Sequence, residues 1–393
     1  MATQTALYLQ QLRRQRFPPL PSVRDLVKMY QLTAIKQLSQ NFLLDQKLTS
    51  KIAKAAGNIE NCVVVEVGPG PGGITRSILE RRPLKVIVIE KDKRFESTLR
   101  ILQDACPEKL DVFWGDVLSF EMSEIIPQEH ASPWEGYLPK VHIIGNLPFN
   151  ISTPLISRWL SNISDKKNAW AHGRVPLTLT FQKEVAERLT ADTSNEQRSR
   201  LSIMAQYLTH CEIKFIIKGS SFVPKPDVDV GVVKFIPRKE PLIRQPYKLV
   251  EKVVKQTFCM RGKYCCRPVS TLFPNIVRQS FTKMLFDSAL VYPNTRPYDL
   301  AIEDFQRLCD AYAEIIEAYP EIGKYEYRSV KADTQWENEY AAKFESFQLP
   351  ENEIPKRASK MKPLNVVSGE LALSCEEELK QEALDNEDDI YIR

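Results

Sequence analysis

The sequence has few of the residues from which metal sites and disulfide scaffolds are built. Its 393 residues include eight cysteines and four histidines. The cysteines are dispersed and form no C-x-x-C pair, which argues against a disulfide scaffold and against a cysteine zinc site. No H-x-x-x-H or H-E-x-x-H spacing occurs, so a histidine metal site has little to use. We therefore expect no bound metal.

Long apolar runs are also missing. No stretch approaches the roughly 18 residues that a membrane helix needs. The composition, 43% hydrophobic and 26% charged, is that of an ordinary globular protein. We therefore expect no membrane partner. We also predict a monomer. At about 150 residues per domain, this length predicts two or three domains.

The start of the chain has no acidic residue before Asp25. A basic, acid-free start is typical of a mitochondrial transit peptide. We therefore predict such a peptide over residues 1–27 and a location in the mitochondrial matrix. The stretch is poor in serine, and a basic RNA-binding arm is the alternative interpretation. The basic residues are Arg13, Arg14, Arg16 and Arg24.

The other end of the chain is acidic. Residues 376–389 contain eight acids and one lysine, a net charge of −7, so the total of +4 leaves +11 for the remaining residues. A basic body with an acidic tail suits a nucleic-acid partner. A solvated surface with a disordered tail explains the charge equally well.

Short β-branched runs alternate with helical patterns between residues 62 and 190. This alternation predicts an α/β fold with a doubly wound parallel sheet. The predicted strands are 62–67, 85–90, 110–115, 141–145 and 176–181. The predicted helices are 73–82, 94–105, 154–160 (with Pro154 in its first turn) and 182–190.

The pattern changes further along the chain. Residues 213–217 and 230–236 are candidates for an antiparallel pair at the sheet edge. After Pro237 and Pro241, helical patterns predict a small helical domain, with helices at 247–259, 276–286 and 299–318. From about residue 320 the polar, charged composition predicts a largely disordered tail.

A glycine cluster follows the first predicted strand of the sheet. Four of the 14 glycines fall between Gly68 and Gly73, where glycine lets the backbone turn sharply and approach a ligand. The cluster also matches G-x-G-x-x-G, which fits an NAD-dependent dehydrogenase or a plain tight turn. Glu90 ends the next strand, 22 residues after Gly68, where an acid can accept hydrogen bonds from ribose hydroxyls. An acid that caps the next helix is the alternative.

The third strand ends at Gly115-Asp116-Val117. There a carboxylate can accept a hydrogen bond from an adenine amino group, while Val117 lines the ring. Ligands of such sheets bind outside the carboxyl ends of the strands. Gly68, Glu90 and Asp116 would meet at this rim, which predicts an adenosine-containing cofactor.

The fourth strand ends at Asn146-Leu147-Pro148-Phe149, which resembles the N/D-P-P-Y/F motif of S-adenosylmethionine enzymes that methylate an exocyclic amine. The N6 lone pair of adenine is delocalised into the ring and is a poor nucleophile. The Asn146 side-chain carbonyl and a backbone carbonyl near Leu147 can accept hydrogen bonds from both N6 protons, which favours a tetrahedral nitrogen. Pro148 holds the turn and Phe149 can stack on the base. A simple turn before a core phenylalanine would not explain why these residues share the rim.

Together these motifs resemble the rRNA adenine N6,N6-dimethyltransferase family, over about residues 20–318. The glycine loop G-P-G-P-G-G and the arginine-rich start are most similar to a mitochondrial branch of that family. The supporting motifs are Gln40-Asn41-Phe42-Leu43, Glu66 to Gly73, Asn146 to Phe149 with Ser152 to Leu155, Thr180 to Leu189, Phe222 to Pro226 with Val228 to Val230, and Arg296-Pro297 with Leu300 and Phe305.

The resemblance implies S-adenosylmethionine as cofactor and a role for each matching residue. The implied cofactor contacts are Gln40, Asn41, Leu43, Gly68, Gly70, Glu90, Lys91, Asp116, Val117 and Asn146. The implied holders of the target adenine are Asn146, Leu147, Pro148 and Phe149, with Phe222 as a second stacking face. The candidate phosphate contacts are Lys183, Arg188, Arg198, Arg200, Lys225, Arg261 and Lys263, although each alone is more often a solvated charge.

The implied substrate is a pair of adjacent adenosines in a hairpin loop near the 3′ end of mitochondrial small-subunit rRNA, within the assembling small subunit. The implied domains are a methyltransferase catalytic domain at 28–237, a helical RNA-binding domain at 238–320 and a tail at 321–393. A different class stays open, since a paralogous branch acts as a mitochondrial transcription factor, binding nucleic acid and RNA polymerase without catalysis. A dehydrogenase would leave Asn146 to Phe149 unexplained.

Overall fold

The computed structural model of the chain describes residues 20–34, 40–327, 332–340 and 342–344. They form two compact units. The sheet unit contains the described residues up to 190 together with 208–239, and the helical unit contains 191–207 together with the described residues from 240 onward.

The sheet unit is built on a seven-stranded sheet with the order β4-β3-β2-β5-β6-β9-β7. The strands are β1 Phe42–Leu43, β2 Val63–Val67, β3 Lys85–Glu90, β4 Leu110–Trp114, β5 Val141–Gly145, β6 Leu177–Gln182, β7 Thr209–Ile217, β8 Phe222–Val223 and β9 Val230–Pro237. Strands β2 to β6 run parallel. Every residue of β2 is buried, as expected where helices cover both faces of a parallel sheet. The predicted α/β class is confirmed.

The last two long strands depart from an all-parallel sheet. Strand β9 is antiparallel to both β6 and β7, and β7 forms the edge. The antiparallel pairing of 213–217 with 230–236 is therefore confirmed. A separate two-stranded sheet pairs β1 with β8, so that Leu43 lies opposite Phe222. No sequence pattern predicts this pair, because each strand has two residues and their contact is remote in sequence.

In the part of the sheet unit that the structure describes there are six α-helices. They are α1 Val23–Met29, α2 Gln46–Ala55, α3 Gly73–Leu79, α4 Glu96–Ala105, α5 Phe149–Asp165 and α6 Lys183–Thr190. Helix α5 begins directly after Pro148 and not near residue 154 as predicted. Pro154 therefore lies inside the helix and not in its first turn. None of the described helices of the chain is long and apolar enough to cross a membrane.

Part of the predicted transit peptide belongs to the folded sheet unit. Residues 1–19 lie outside the described residues, but α1 overlaps the predicted 1–27 segment. Leu26 is fully buried, and the Arg76 guanidinium donates a hydrogen bond to the Pro21 carbonyl at 2.6 Å. The residues from Pro21 onward therefore contribute to the fold.

The helical unit contains α7 Arg200–Gln206, α8 Tyr247–Thr257, α9 Cys266–Ser270, α10 Arg278–Ala289, α11 Ile302–Ala318, α12 Pro320–Gly323 and α13 Ala332–Tyr340. Residues 191–207 belong here and not to the predicted catalytic domain. Backbone hydrogen bonds explain this assignment, since Ser194 N–H donates to the Tyr298 carbonyl and Leu242 N–H to the Tyr207 carbonyl, each at 2.9 Å.

Ordered structure also continues past residue 320, where the sequence predicts a largely disordered tail. The Trp336 and Phe344 side chains are buried, with their ring centroids 5.1 Å apart. Phe344 packs against Phe281 and Tyr319 at 5.9 and 5.7 Å. These sparse aromatics outweigh the polar composition around them. Residues 345–393, including the acidic segment, lie outside the described residues.

Candidate active site

The glycine loop between β2 and α3 forms one wall of a cleft at the carboxyl end of the sheet. Gly68, Gly70 and Gly72 have φ values of 67°, 54° and 87°, a region that a residue with a Cβ rarely adopts. Only glycine allows this sequence of turns without strain. The backbone of the loop is thereby exposed to whatever occupies the cleft.

Glu90, at the end of β3, fixes this loop. One carboxylate oxygen accepts a hydrogen bond from Gly70 N–H at 3.0 Å, and the other accepts from the N–H groups of Lys91 and Asp92, each at 2.8 Å. The side chain is buried, and burial raises its pKa while these three backbone donors oppose the shift. Glu90 still lines the cleft, and the oxygen that accepts from Gly70 N–H retains a lone pair for a hydroxyl donor.

The cleft has a cavity volume of about 80 Å³, and its mouth opens to solvent. It combines a glycine backbone, a carboxylate and apolar walls, a set that suits an adenosine with a polar extension. The predicted cofactor residues that line it are Gln40, Asn41, Leu43, Gly68, Gly70, Glu90 and Asn146. The buried side chain of Phe95 also lines it, which the sequence patterns did not indicate.

The remaining predicted cofactor residues lie beside Glu90 without lining this cleft. The Lys91 ammonium pairs with the Asp116 carboxylate at 2.8 Å, and this hydrogen bond lowers the pKa of Asp116. Val117 is buried. Gly115 N–H donates to the Glu90 carbonyl at 2.9 Å. The structure thus brings the ends of β3 and β4 together, as predicted.

Asn146 follows β5 and is held at both ends of its side-chain amide. Its Nδ2 donates to the Asn41 carbonyl at 3.1 Å, and its Oδ1 accepts from the Thr180 hydroxyl at 2.8 Å. The preceding Gly145 approaches β2 closely, since a Cβ there would lie 3.0 Å from the Val67 carbonyl oxygen. A larger residue would push the Asn146 turn away from the rim.

The rest of the turn also reaches the cleft. Leu147 is buried, whereas Phe149 is half-buried, and both line the cleft together with Pro148. Pro148 has a φ of −55° and immediately precedes α5. The four predicted catalytic residues therefore share one wall with the glycine loop and Glu90.

A second, larger cleft of about 480 Å³ opens beside the first. The two clefts share Gln40, Asn41 and Phe149. The other lining residues of the second cleft are Ala34, Asn150, Gln182, Pro224, Pro226, Asp227 and Val228. Phe149 therefore lines both clefts, and the second cleft is large enough for a nucleobase.

The structure does not place Phe222 where the sequence predicts a second stacking face. Phe222 is 2% exposed and belongs to the hydrophobic core around Leu43, its partner across the β1–β8 pair. It lines neither cleft. Pro224, Pro226 and Val228 from the same loop line the second cleft instead.

The predicted phosphate contacts are divided between the two units. In the sheet unit, Lys183 and Arg188 lie on α6, where they pair with Glu187 at 3.6 Å and Glu184 at 3.3 Å. Lys225 is exposed beside the second cleft.

In the helical unit, Arg200, Arg261 and Lys263 are exposed. Arg198 is not, since its side chain is 1% exposed and donates to the Ala191 carbonyl at 2.9 Å. Burial also lowers its pKa. Arg198 is thus a structural residue, and its predicted phosphate contact is wrong.

Sequence reasoning missed a network that positions Gln40. Asp92 accepts a hydrogen bond from Gln40 Nε2 at 2.8 Å, and Arg94 donates to Gln40 Oε1 at 3.2 Å and to the Thr33 carbonyl at 3.0 Å. The sequence feature that could have indicated this network is the run of closely spaced charges in Glu90-Lys91-Asp92-Lys93-Arg94.

Among the described residues, no group of three or more His, Cys, Asp or Glu side chains could hold a metal ion.

The sheet topology and the paired clefts define the class as a Rossmann-like, S-adenosylmethionine-dependent methyltransferase. A family model described as "Ribosomal RNA adenine dimethylase" matches residues 32–314. "Dimethyladenosine transferase 1, mitochondrial" of Homo sapiens is 52% identical over 313 residues, which are 80% of this chain and 90% of that protein. "Mitochondrial dimethyladenosine transferase 1" of Bos taurus is 52% identical over 315 residues, 80% of this chain and 92% of that protein.

A crystal structure of a dimethyladenosine transferase from Plasmodium falciparum shares the fold, with a TM-score of 0.53 and 22% identity, covering 70% of this chain and 96% of that chain. The chain belongs to the ribosomal RNA adenine dimethylase family, and it is an S-adenosylmethionine-dependent rRNA adenine N6,N6-dimethyltransferase. The predicted family, enzyme class and cofactor are confirmed.

Proposed function

We propose that this chain dimethylates two adjacent adenosines in the hairpin loop near the 3′ end of mitochondrial small-subunit rRNA, in the mitochondrial matrix, as part of small-subunit assembly. The relatives carry mitochondrial dimethyladenosine transferase names. The structural observation that carries the proposal is Phe149, which lines both the cofactor cleft and the second cleft. A base in the second cleft would thereby lie beside the site of the methyl donor.

Residues of the first cleft would hold the cofactor. Glu90 would accept hydrogen bonds from the ribose, and the backbone at Gly68 and Gly70 would allow close approach. When bound, S-adenosylmethionine supplies an electrophilic methyl group at its sulfonium. A loop adenosine is already partly unstacked, so its extrusion costs less than that of a base in a duplex.

The Asn146 turn would orient the target amine. The Asn146 side-chain carbonyl accepts one N6 hydrogen and the turn's backbone near Leu147 accepts the other, while Phe149 stacks on the base. These contacts draw the N6 lone pair out of conjugation with the ring. The turn contains no titratable side chain, so catalysis is positioning and polarisation, and the N6 proton passes to water.

An exposed basic surface on the helical unit supports a role in RNA binding. The Arg261 guanidinium lies 5.8 Å from the Tyr298 ring centroid, and that of Arg296 lies 5.7 Å from the Tyr264 ring centroid. Segments 260–267 and 290–298 contain no acid. Phosphate contacts from such a surface make binding steeply salt-dependent. We expect Arg261→Ala and Arg296→Ala each to reduce the slope of log affinity against log salt by about one.

The proposal is tested by incubating the chain with S-adenosylmethionine labelled on its methyl group and a transcript of the hairpin. Mass spectrometry then maps the modified bases. Dimethylation of both loop adenosines is expected, with no label in a matched hairpin that carries guanosines at these two positions. Label at other positions, or in the control hairpin, would contradict the proposed substrate.

The same preparation separates catalysis from transcription-factor activity. A chain that acts only by binding the transcription machinery should not methylate the hairpin, and neither should its Asn146→Ala variant. The unaltered chain and the Asn146→Ala variant should then increase promoter-dependent RNA synthesis equally. Catalysis by the unaltered chain that is lost in Asn146→Ala supports the enzyme.

A further inference from the structure

The side-chain amide of Asn146 is fixed by two partners from different parts of the sheet unit. Nδ2 donates to the Asn41 carbonyl at 3.1 Å, and Oδ1 accepts from the Thr180 hydroxyl at 2.8 Å. Thr180 lies on β6 and is 0% exposed. Water therefore cannot readily replace the Thr180 hydroxyl as a donor.

These partners determine which way the amide faces. A backbone carbonyl only accepts hydrogen bonds, so the Asn146 atom opposite Asn41 must be the nitrogen. The oxygen then faces Thr180, whose hydroxyl must donate. An amide oxygen has two lone pairs, so Oδ1 retains one acceptor position after Thr180 has used the other.

We infer that Thr180 is a positioning residue for methyl transfer, which keeps the Asn146 amide in the orientation that presents its oxygen as an acceptor for the target amine. The inference rests on the proposed role of Asn146 in adenine dimethylation. With the amide turned over, Nδ2–H would face an N6–H, and two donors cannot pair. In the second methylation the monomethylated amine retains a single N–H, and a turned amide would leave only the backbone carbonyl near Leu147 to accept it.

Strand β6 offers a matched control. Thr178 lies two residues before Thr180, so both side chains point to the same face of the sheet. Thr178 is 1% exposed, and its backbone pairs with Lys234 of β9 just as that of Thr180 pairs with Val232. The change from threonine to valine removes a hydroxyl at nearly constant shape in both places, but only Thr180 contacts Asn146.

The test compares single-turnover methylation rates of Thr180→Val, Thr180→Ser and Thr178→Val. Thr180→Val should be about five- to tenfold slower, the effect of one lost neutral hydrogen bond. Its dissociation constant for S-adenosylmethionine should stay within twofold, and monomethylated product should accumulate. Thr180→Ser should restore most of the rate, and Thr178→Val should match the unaltered chain. Equal losses in the Thr178 and Thr180 variants would overturn the inference.

A double variant distinguishes positioning from general stabilisation. If Thr180 acts through Asn146, adding Thr180→Val to Asn146→Ala should change the rate less than twofold. If the double variant is instead slower by the product of the two single-variant factors, the inference is overturned. If Asn146→Ala alone leaves the rate unchanged, the proposed role of Asn146 fails, and Thr180 has no catalytic function to support.

A spectroscopic readout does not depend on the RNA substrate. The ¹⁵N-labelled side-chain amide signal of Asn146, identified by its loss in Asn146→Ala, should shift and exchange faster with solvent in Thr180→Val but not in Thr178→Val. An unchanged Asn146 signal in Thr180→Val would overturn the inference even if the proposed hairpin proves to be the wrong substrate.

Discussion

The carboxylate of Glu90 and the backbone N–H of Gly70 form a 3.0 Å hydrogen bond that joins the end of β3 to the glycine loop after β2. The bond places a buried acid against a loop whose conformation only glycine adopts readily. The contact that holds the loop therefore also brings a ribose acceptor to the cofactor cleft.

Glu90→Ala should weaken S-adenosylmethionine binding by about 1.5–3 kcal/mol, the range for a hydrogen bond to a charged group. Titration calorimetry measures the dissociation constant directly. Glu60→Ala, an exposed acid at the other end of β2, should leave that constant unchanged. Equal affinities of the Glu90→Ala variant and the unaltered chain would contradict the ribose assignment.

Glu66, in β2, should make the stability of the chain pH-dependent. Burial raises the pKa of Glu66 from 4.5 to about 8, and the side chain is 1% exposed. Between these values the folded state keeps the proton that the unfolded state loses. The free energy of unfolding therefore falls as pH rises, by about 1.4 kcal/mol per pH unit from this group, and levels off above pH 8.

Urea denaturation at pH 5, 6, 7 and 8 checks this sign. Glu66→Gln should reduce the loss of stability across that window relative to the unaltered chain. Glu60→Gln is the matched exposed control and should not alter the slope. A Glu66→Gln variant with the unaltered pH dependence would show that Glu66 titrates normally.

Phe344 should stabilise the helical unit although it lies in the region predicted to be disordered. Its side chain is 0% exposed, and truncating a buried phenylalanine costs about 3–5 kcal/mol. A chain that ends at residue 344 should keep the melting temperature of the full chain. A chain that ends at residue 331 should melt lower by several degrees, as should Phe344→Ala. Equal melting temperatures for both truncations would refute the packing of this segment.

The mature protein should begin at or before Leu20. Removal of residues through 27 would delete the buried Leu26 and the Pro21 carbonyl that Arg76 binds. N-terminal mass spectrometry of the protein isolated from mitochondria measures the cleavage site. Cleavage after Leu26, or a cytosolic protein with an intact Met1, would contradict this prediction.

Asn146→Ala should lower the single-turnover rate by about 10²–10³, the loss typical of one preorganised polar group. Cofactor affinity should change far less. The rate of the unaltered chain should be nearly flat from about pH 6.5 to 9, because the turn needs no ionised base.

A rate that rises tenfold per pH unit in this window would instead require a base. Two carboxylates close to the family motifs are candidates, Asp45 and Glu184, but neither lines either cleft. Asp45 caps α2 by accepting from Lys47 N–H at 2.7 Å, and Glu184 pairs with Arg188. Asp227 does line the second cleft. Asp227→Asn is therefore the variant that would identify such a base.

The sequence by itself determined the class of fold and the residues at the strand ends. Periodicity located the five parallel strands because a buried parallel strand is a short β-branched run, and its end is marked by glycine or a polar residue. Gly68, Glu90 and Asn146 could be assigned to one rim because parallel strands end at the same edge of the sheet. These are local signals, carried by residues that are adjacent in the chain.

Tertiary structure alone decided which side chains are accessible and what holds them. Phe222 and Arg198 carry the right chemistry for RNA, but packing between distant segments buries both. Trp336 and Phe344 are ordered because a few aromatic contacts outweigh a polar local composition. Thr180 contacts Asn146 across 34 residues, and no spacing rule predicts such a contact. Burial and pairing depend on the whole fold, whereas strand and loop patterns depend on their own residues.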